Sequence, residues 1–509
     1  MGITSFWFLC FFACILAVYY IIPGKLQWSF LLLCSLMYYL LTDNGFLILY
    51  PLASAAVCYG GIRVLAQTED ARKRKLALAA VVAANIGVLF VLKYINFVIN
   101  TVNGIAGLAG RQEALLSGWN LLVPLGVSFY TFSLLGYVID VYYGIAAPQR
   151  NFGKLALYGM YFPAMISGPI LQYRECGEQF FKRHVFDYGK VTRGMQRMLW
   201  GLMKKLVIAE RLRVLVDTVY GGYESYPGAY IWVATVCYAF QLYTDFSGCM
   251  DIVLGMSESL GITLPENFRT PFFAKSVAEY WRRWHITLGI WMKDYVFYPL
   301  LRSRFFTNLN KSWKKKFGKK KGKQYATFAA MFLLWFTVGV WHGGDWKYVI
   351  GSGLLHWFYI VMEELLEEPC ARGMRRLHID AGGRMTAGIR ILRTFFLVCI
   401  GDLFFRAESV SAAFAMLKGA VTVWNPSVLW NGSLFALGLD AIELGIAVFS
   451  LLLLLAVSLL QQKGSVRDRI AQKALPLRWL VWYALLFYVI LFGCYGPEYS
   501  AAEFIYQGF

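Results

Sequence analysis

Apolar residues run along this chain in stretches of roughly 20, the length at which a helix rising 1.5 Å per residue crosses a hydrocarbon core of about 30 Å. Such runs occupy positions 3–22, 27–41, 45–65 and 76–97, and again 325–342, 347–366, 389–405, 437–461 and 479–495. The period-two alternation of a membrane-spanning β-barrel is not the pattern. It predicts an all-α integral membrane protein of about 11–13 transmembrane helices with short re-entrant or interfacial helices between them. We read 1–509 as a single polytopic domain whose motif-bearing core is about 120–365.

The middle of the chain departs from this pattern. Pro124 and Gly126 open the run 121–139, and Pro163, Gly168 and Pro169 interrupt 155–173, which predicts a short or re-entrant helix. Broken backbone at membrane depth is tolerable where it is buried in protein or lines a water-filled cavity. The segment 101–120 reads as an external loop or surface helix, and 191–206 as an amphipathic helix at the interface or a solvated connector. The run 229–255 begins as an ordinary span and then carries Asp245 and Asp251. Acids at depth are costly, so Asp245 is expected to accept a hydrogen bond from a catalytic histidine, to pair with an arginine, or to sit in a purely structural ion pair.

Composition narrows the class. With 58% hydrophobic residues and 17% aromatic, and a mean hydropathy of +0.52, a soluble enzyme is excluded. The net charge of +19 is concentrated in short loops, which makes it a determinant of orientation and not a nucleic-acid footprint. Basic clusters at 72–75 and 311–323 are expected to be cytoplasmic loops, with the N-terminus extracytoplasmic and the protein in the cell membrane. The second cluster suits lipid head groups, with an anionic donor or acidic carrier protein as the alternative. The ten cysteines lie mostly inside apolar runs without C-x-x-C or zinc-ligand spacing. They imply neither a disulfide framework nor a metal site. The first run lacks a basic n-region and cleavage site and reads as an uncleaved helix; Phe6 argues against myristoylation at Gly2.

Candidate chemistry sits in two segments. In 276–298, Arg282, Arg283, His285, Lys293 and Asp294 stand among aromatic and aliphatic residues. On a continuous helix, Trp281, His285, Leu288 and Met292 would share one face, and Arg283, Thr287 and Asp294 another. In 338–347, His342 follows Trp341 at the end of an apolar helix that Gly343-Gly344 should break. A lone histidine on an apolar face is more often a satisfied core residue than a catalyst; two, each following a tryptophan and each near charge, alter that balance. His356 is a competing candidate with an expected structural role, and His184 and His378 are expected in surface loops.

Taken with further blocks, these segments resemble the membrane-bound O-acyltransferases, in the bacterial branch that contains alginate O-acetyltransferase and the D-alanyl transferase of teichoic acids. The resemblance covers Pro124–Phe132, Gly136–Tyr142, Ser167-Gly168-Pro169-Ile170, Asp245-Phe246-Ser247-Gly248, Leu264-Pro265-Glu266-Asn267-Phe268 and both histidine motifs, in the family's order. The chain departs from the alginate-type pattern after Leu300, where Leu301-Arg302 stand in place of two glycines. The resemblance implies His342 as the principal catalytic residue and His285 as its partner. Trp281, Trp284, Arg283, Asp245, Asn267 and Trp341 are the candidates for substrate binding or the pathway.

Acyl transfer to a hydroxyl needs a base near neutral pKa, which imidazole supplies. No Gly-x-Ser-x-Gly elbow, phosphate loop or dinucleotide fingerprint is placed where it would have meaning. The expected activity is therefore O-acyl transfer, preferably of acetyl, without a permanently bound cofactor or metal. The donor would be acetyl-CoA or an acyl-carrier thioester on the cytoplasmic side. The acceptor would be an extracytoplasmic polysaccharide or cell-wall polymer, reached directly or through a partner acyltransferase. The alternatives are D-alanyl transfer from a carrier protein and, in a different class, a transporter or flippase.

Overall fold

The structure, a computed structural model, describes residues 2–42, 45–111, 113–165 and 168–495. Ser167 of the Ser-Gly-Pro-Ile block therefore lies outside the described residues. The described chain is helical apart from connecting segments and a single antiparallel bridge between Phe268 and Trp284. Six of its helices are long and apolar enough to cross a membrane: Gly45–Gln67, Ala71–Leu108, Lys319–Gly343, Trp346–Arg376, Ala441–Gln461 and Leu475–Phe492. Four shorter apolar helices, Phe6–Ile21, Gln27–Leu40, Val127–Tyr142 and Val410–Thr422, accompany them. The remainder of the expected 11–13 falls in segments that are broken or carry charge.

The helices point apolar side chains outward, as a bilayer requires. Leu475–Phe492 buries Val489 and exposes Leu480, Tyr483, Phe487 and Leu491. Ala71–Leu108, at 38 residues, is about 57 Å long and overshoots the hydrocarbon core. Its charged first turn, Arg72 to Lys75, follows an Asp70 cap whose carboxylate accepts from the N–H groups of Arg72 and Lys73. The helix reaches into the stretch 101–120 that the sequence suggested as loop or surface helix.

The chain forms two compact units, one from the described residues of Met1–Lys205, Asp245–Glu266 and Ala474–Phe509, the other from Leu206–Thr244 and Asn267–Lys473. In the first unit, the interrupted run near 155–173 becomes the short helices Phe152–Met160, Phe162–Met165 and Tyr173–Cys176, with the connecting residues 161 and 168–172 buried. The amphipathic helix is Tyr188–Leu202, continued by the π-helical turn Met203–Ala209. That wide turn carries Lys204 and Lys205 inward, each 3% exposed. Lys204 pairs with Asp251 at 2.6 Å and donates to the Ser247 hydroxyl at 2.9 Å. Arg197 donates from Nε to Asp251 at 2.8 Å and forks onto both oxygens of Glu266 at 2.7 and 2.6 Å. Lys204 and Lys205 are thus buried and paired and Arg197 is half-buried and paired, not interfacial or solvated as their sequence suggested. Lys205 pairs with Asp245, so Asp245 stands in a buried ion pair, one of the expected alternatives, formed with a lysine and not an arginine.

In the second unit the basic stretch 311–323 is helical and not a loop: Arg304–Phe317 and Lys319–Gly343 meet at Gly318. Lysine is a good helix former, and Ser303 caps the first of the two by accepting from the Phe306 N–H at 3.3 Å. Beyond His342 the chain turns back at Gly343-Gly344. It passes through Trp346–Tyr348 and the π-helical turn Val349–Leu354, then continues as Leu355–Arg376. The return is close. A Cβ on Gly339 would lie 2.6 Å from the Val349 Cα, and one on Gly353 would lie 2.6 Å from the Trp335 carbonyl oxygen, so the two passes touch backbone to backbone.

Candidate active site

The two histidine motifs belong to the same compact unit. The first is not the continuous helix that its periodicity predicts. Helix Val277–Trp281 is capped by Ser276, which accepts from the Glu279 N–H, and ends at Arg282. A new helix, Ile286–Met292, starts after His285, whose φ of 45° and ψ of 51° are left-handed. Left-handed backbone costs a non-glycine residue roughly 1–2 kcal/mol, so surrounding structure must hold it.

What holds it is the strand-like segment at 267–269. The Arg269 N–H donates to the Arg283 carbonyl at 2.9 Å, and the Ile286 N–H donates to the Asn267 carbonyl at 3.1 Å. His285 is bracketed between these two bonds. The Asn267 side-chain oxygen adds three contacts, with the Thr287 N–H and the Thr287 hydroxyl at 3.0 Å each and with His285 Nδ1 at 3.3 Å. His285, Asn267 and Thr287 are all buried. The predicted shared face of Trp281 and His285 therefore does not form, because the turn rotates one away from the register of the other.

The adjacent tryptophans serve different surroundings. Trp284 stacks on Tyr280 at 5.5 Å and meets Phe268 edge-on at 5.0 Å, a cluster of the kind worth about 0.5–1.5 kcal/mol per ring pair beyond burial. Trp281 meets Trp335 at 4.9 Å and His356 at 5.1 Å. Arg283 is a brace: it binds Glu279 at 2.6 Å and the hydroxyl and carbonyl of Thr270 at 3.3 and 3.4 Å. Thr270 is itself left-handed, with φ 43°, so this arginine supports the second strained residue beside the bridge.

His342 lies in the last turn of Lys319–Gly343, and Gly344, in the left-handed conformation, caps that helix through its N–H to the Val340 carbonyl at 3.1 Å. The predicted break is present. The imidazole, 2% exposed, does not face open space. It packs edge-on against Phe405 at 5.3 Å and against Trp341 at 5.1 Å. Trp341 in turn meets the His285 ring at 5.7 Å. With ring distances of 5.7 and 5.1 Å to the shared indole, the two imidazole centroids are at most 10.8 Å apart. Two histidines 57 positions apart in sequence share one buried aromatic neighbour, Trp341.

Residues that sequence reasoning missed include Phe405, Trp335 and Thr287. Phe405 lies far along the chain in helix Arg384–Arg406 without a motif around it. Thr287 was placed on the opposite face by the helical periodicity. His356, 3% exposed, joins the Trp281 and Trp335 rings because the return pass brings it back along the helix that carries Trp335.

The profile of the MBOAT, membrane-bound O-acyltransferase family matches residues 148–314. Over 438 residues the chain is 30% identical to a Pseudomonas aeruginosa protein named probable alginate O-acetylase AlgI, covering 86% of this chain and 78% of that one. It belongs to the membrane-bound O-acyltransferases. This O-acyltransferase is also 27% identical to the peptidoglycan O-acetyltransferase of Helicobacter pylori, over 77% of its own length and 73% of the relative's. With the teichoic acid D-alanyltransferase of Bacillus subtilis it shares 27% identity over 57% of its length and 70% of that relative's. The profile match includes Asn267 and His285. The membrane O-acyltransferase thus keeps its histidine pair inside the unit that contains the aromatic cluster.

Proposed function

We propose that the enzyme moves an acetyl group from a cytoplasmic-side thioester to hydroxyls of an extracytoplasmic polysaccharide or cell-wall polymer, with His342 as base and His285 as its partner. The observation that carries this reading is the approach of both buried imidazoles to one indole, Trp341. His342 takes the proton of the acceptor hydroxyl as its oxygen attacks the thioester carbonyl; the C–S bond breaks, and the proton passes to the departing thiolate. No serine nucleophile is required. Trp281, Trp284 and Asn267 shape the surroundings, and Arg283 supports them from its ion pair with Glu279. The names of the relatives favour acetyl as the group and a saccharide polymer as the acceptor. The donor is acetyl-CoA or an acyl-carrier thioester.

Purified enzyme in proteoliposomes, supplied with acetyl-CoA, an acetylated carrier thioester or a D-alanyl carrier thioester and a polysaccharide acceptor, should transfer acetyl in preference to D-alanine. Preference for D-alanine would move the reading to the teichoic acid branch. Movement of acceptor across the bilayer without ester formation would establish the transporter.

For orientation, we propose that the basic helical corner at 311–323 is cytoplasmic and the N-terminus external, on the strength of its lysines and those at 72–75. A Lys316→Cys variant should resist a membrane-impermeant thiol reagent in intact cells and react after permeabilisation. Labelling in intact cells would reverse the topology.

A further inference from the structure

We infer that Asn267 is a positioning residue that fixes His285 as the tautomer protonated on Nδ1, so that its Nε2 meets the substrate as an acceptor and not as a donor. The inference rests on the place of His285 in the site proposed above, but its chemistry is decided by hydrogen bonds within the protein.

The argument begins with a group whose role is fixed. A backbone N–H can only donate, and the Thr287 N–H reaches one atom of the Asn267 side chain at 3.0 Å. That atom is therefore the carbonyl oxygen, and the amide orientation follows from the backbone. The Thr287 hydroxyl, also 3.0 Å from this oxygen, must donate to it. His285 Nδ1 lies 3.3 Å from the same oxygen, and a carbonyl oxygen has no proton to give. Nδ1 must carry the hydrogen, which in neutral imidazole leaves the lone pair on Nε2.

The surrounding geometry allows no easy escape. The Asn267 carbonyl is tied to the Ile286 N–H at 3.1 Å, one residue beyond His285, and the Arg269 N–H is tied to Arg283 two residues before it. The amide cannot turn without breaking the Thr287 contacts, and the backbone that carries His285 is held on both sides by these two bonds. Asn267 is 1% exposed, so water does not compete for its oxygen.

For the reaction this assigns a sign. Neutral His285 accepts a hydrogen bond from a hydroxyl of the polyol acceptor through Nε2; it does not donate to the acyl carbonyl oxygen. When the ring takes up a proton, both nitrogens carry hydrogen, and the bond to Asn267 becomes charge-assisted and stronger.

The direct test is nitrogen NMR of enzyme labelled at its five histidines, with the His285 signals assigned by their loss in His285→Gln. Hydrogen on Nδ1 with an unprotonated Nε2 is expected, and the opposite tautomer would overturn the inference. Kinetically, Asn267→Leu should lower kcat about a hundredfold or more with KM nearly unchanged, whereas Asn267→Asp, which keeps the acceptor, should stay within about tenfold of wild type. An Asn267→Leu enzyme that folds and turns over normally would refute the positioning role. If it does not fold, the spectrum of the native enzyme decides. A native spectrum as expected combined with a fully active His285→Gln would leave the tautomer intact and instead remove His285 from the reaction.

Discussion

Replacement of His342 by alanine should abolish acyl transfer while leaving a folded, membrane-inserted protein. General-base catalysis contributes about 10²–10⁴ in rate, equivalent to roughly 3–5 kcal/mol of barrier. His285→Ala should lose most activity as well. The structural cost is smaller, because His342 sits at a helix end whose Gly344 cap does not depend on its side chain. The rings of Trp341 and Phe405 remain to close around the space. Initial rates with acetyl thioester donor in proteoliposomes, beside a thermal unfolding curve, separate the two effects. Turnover like wild type in folded His342→Ala would remove the residue from the mechanism.

The second large effect is on stability. Lys205 and Asp245 form a pair with side chains 3% and 2% exposed. Asp245→Leu strands a buried ammonium and should cost about 3–5 kcal/mol, whereas joining it to Lys205→Met removes both charges and should recover most of the loss. The double variant should also regain acyl transfer, since Asp245 then acts through the pair and not on substrate. Thermal midpoints and transfer rates of the two singles and the double provide the check. A stable double variant without activity would return Asp245 to the reaction.

That pair also illustrates which features a sequence reveals. The long spans were legible because hydropathy and length are local properties, and the end of the His342 helix was legible because two glycines mark it. The break at 282–285 was not, since neither Gly nor Pro occurs there and the helical period continues through it. The force that ends the helix comes from Asn267 and the Phe268 bridge, some 17 positions away. Lys204 and Lys205 misled for a related reason: basic residues beside apolar ones read as an interface, and the acids that draw them inward lie 47 and 40 positions downstream. The candidate histidines and Trp341 were found by motif, but the closing ring of Phe405 comes from helix Arg384–Arg406, some 60 positions beyond His342 and without a motif around it.

The left-handed backbone at His285 places stability and activity in opposition at one position. Glycine would occupy φ 45° without the steric penalty that histidine bears, and asparagine would bear less of it than most residues. Selection for thermal resistance alone would therefore reward loss of the imidazole here. Any stabilised form of this enzyme obtained by a screen blind to turnover should be sequenced at codon 285 before its improvement is credited to the rest of the fold.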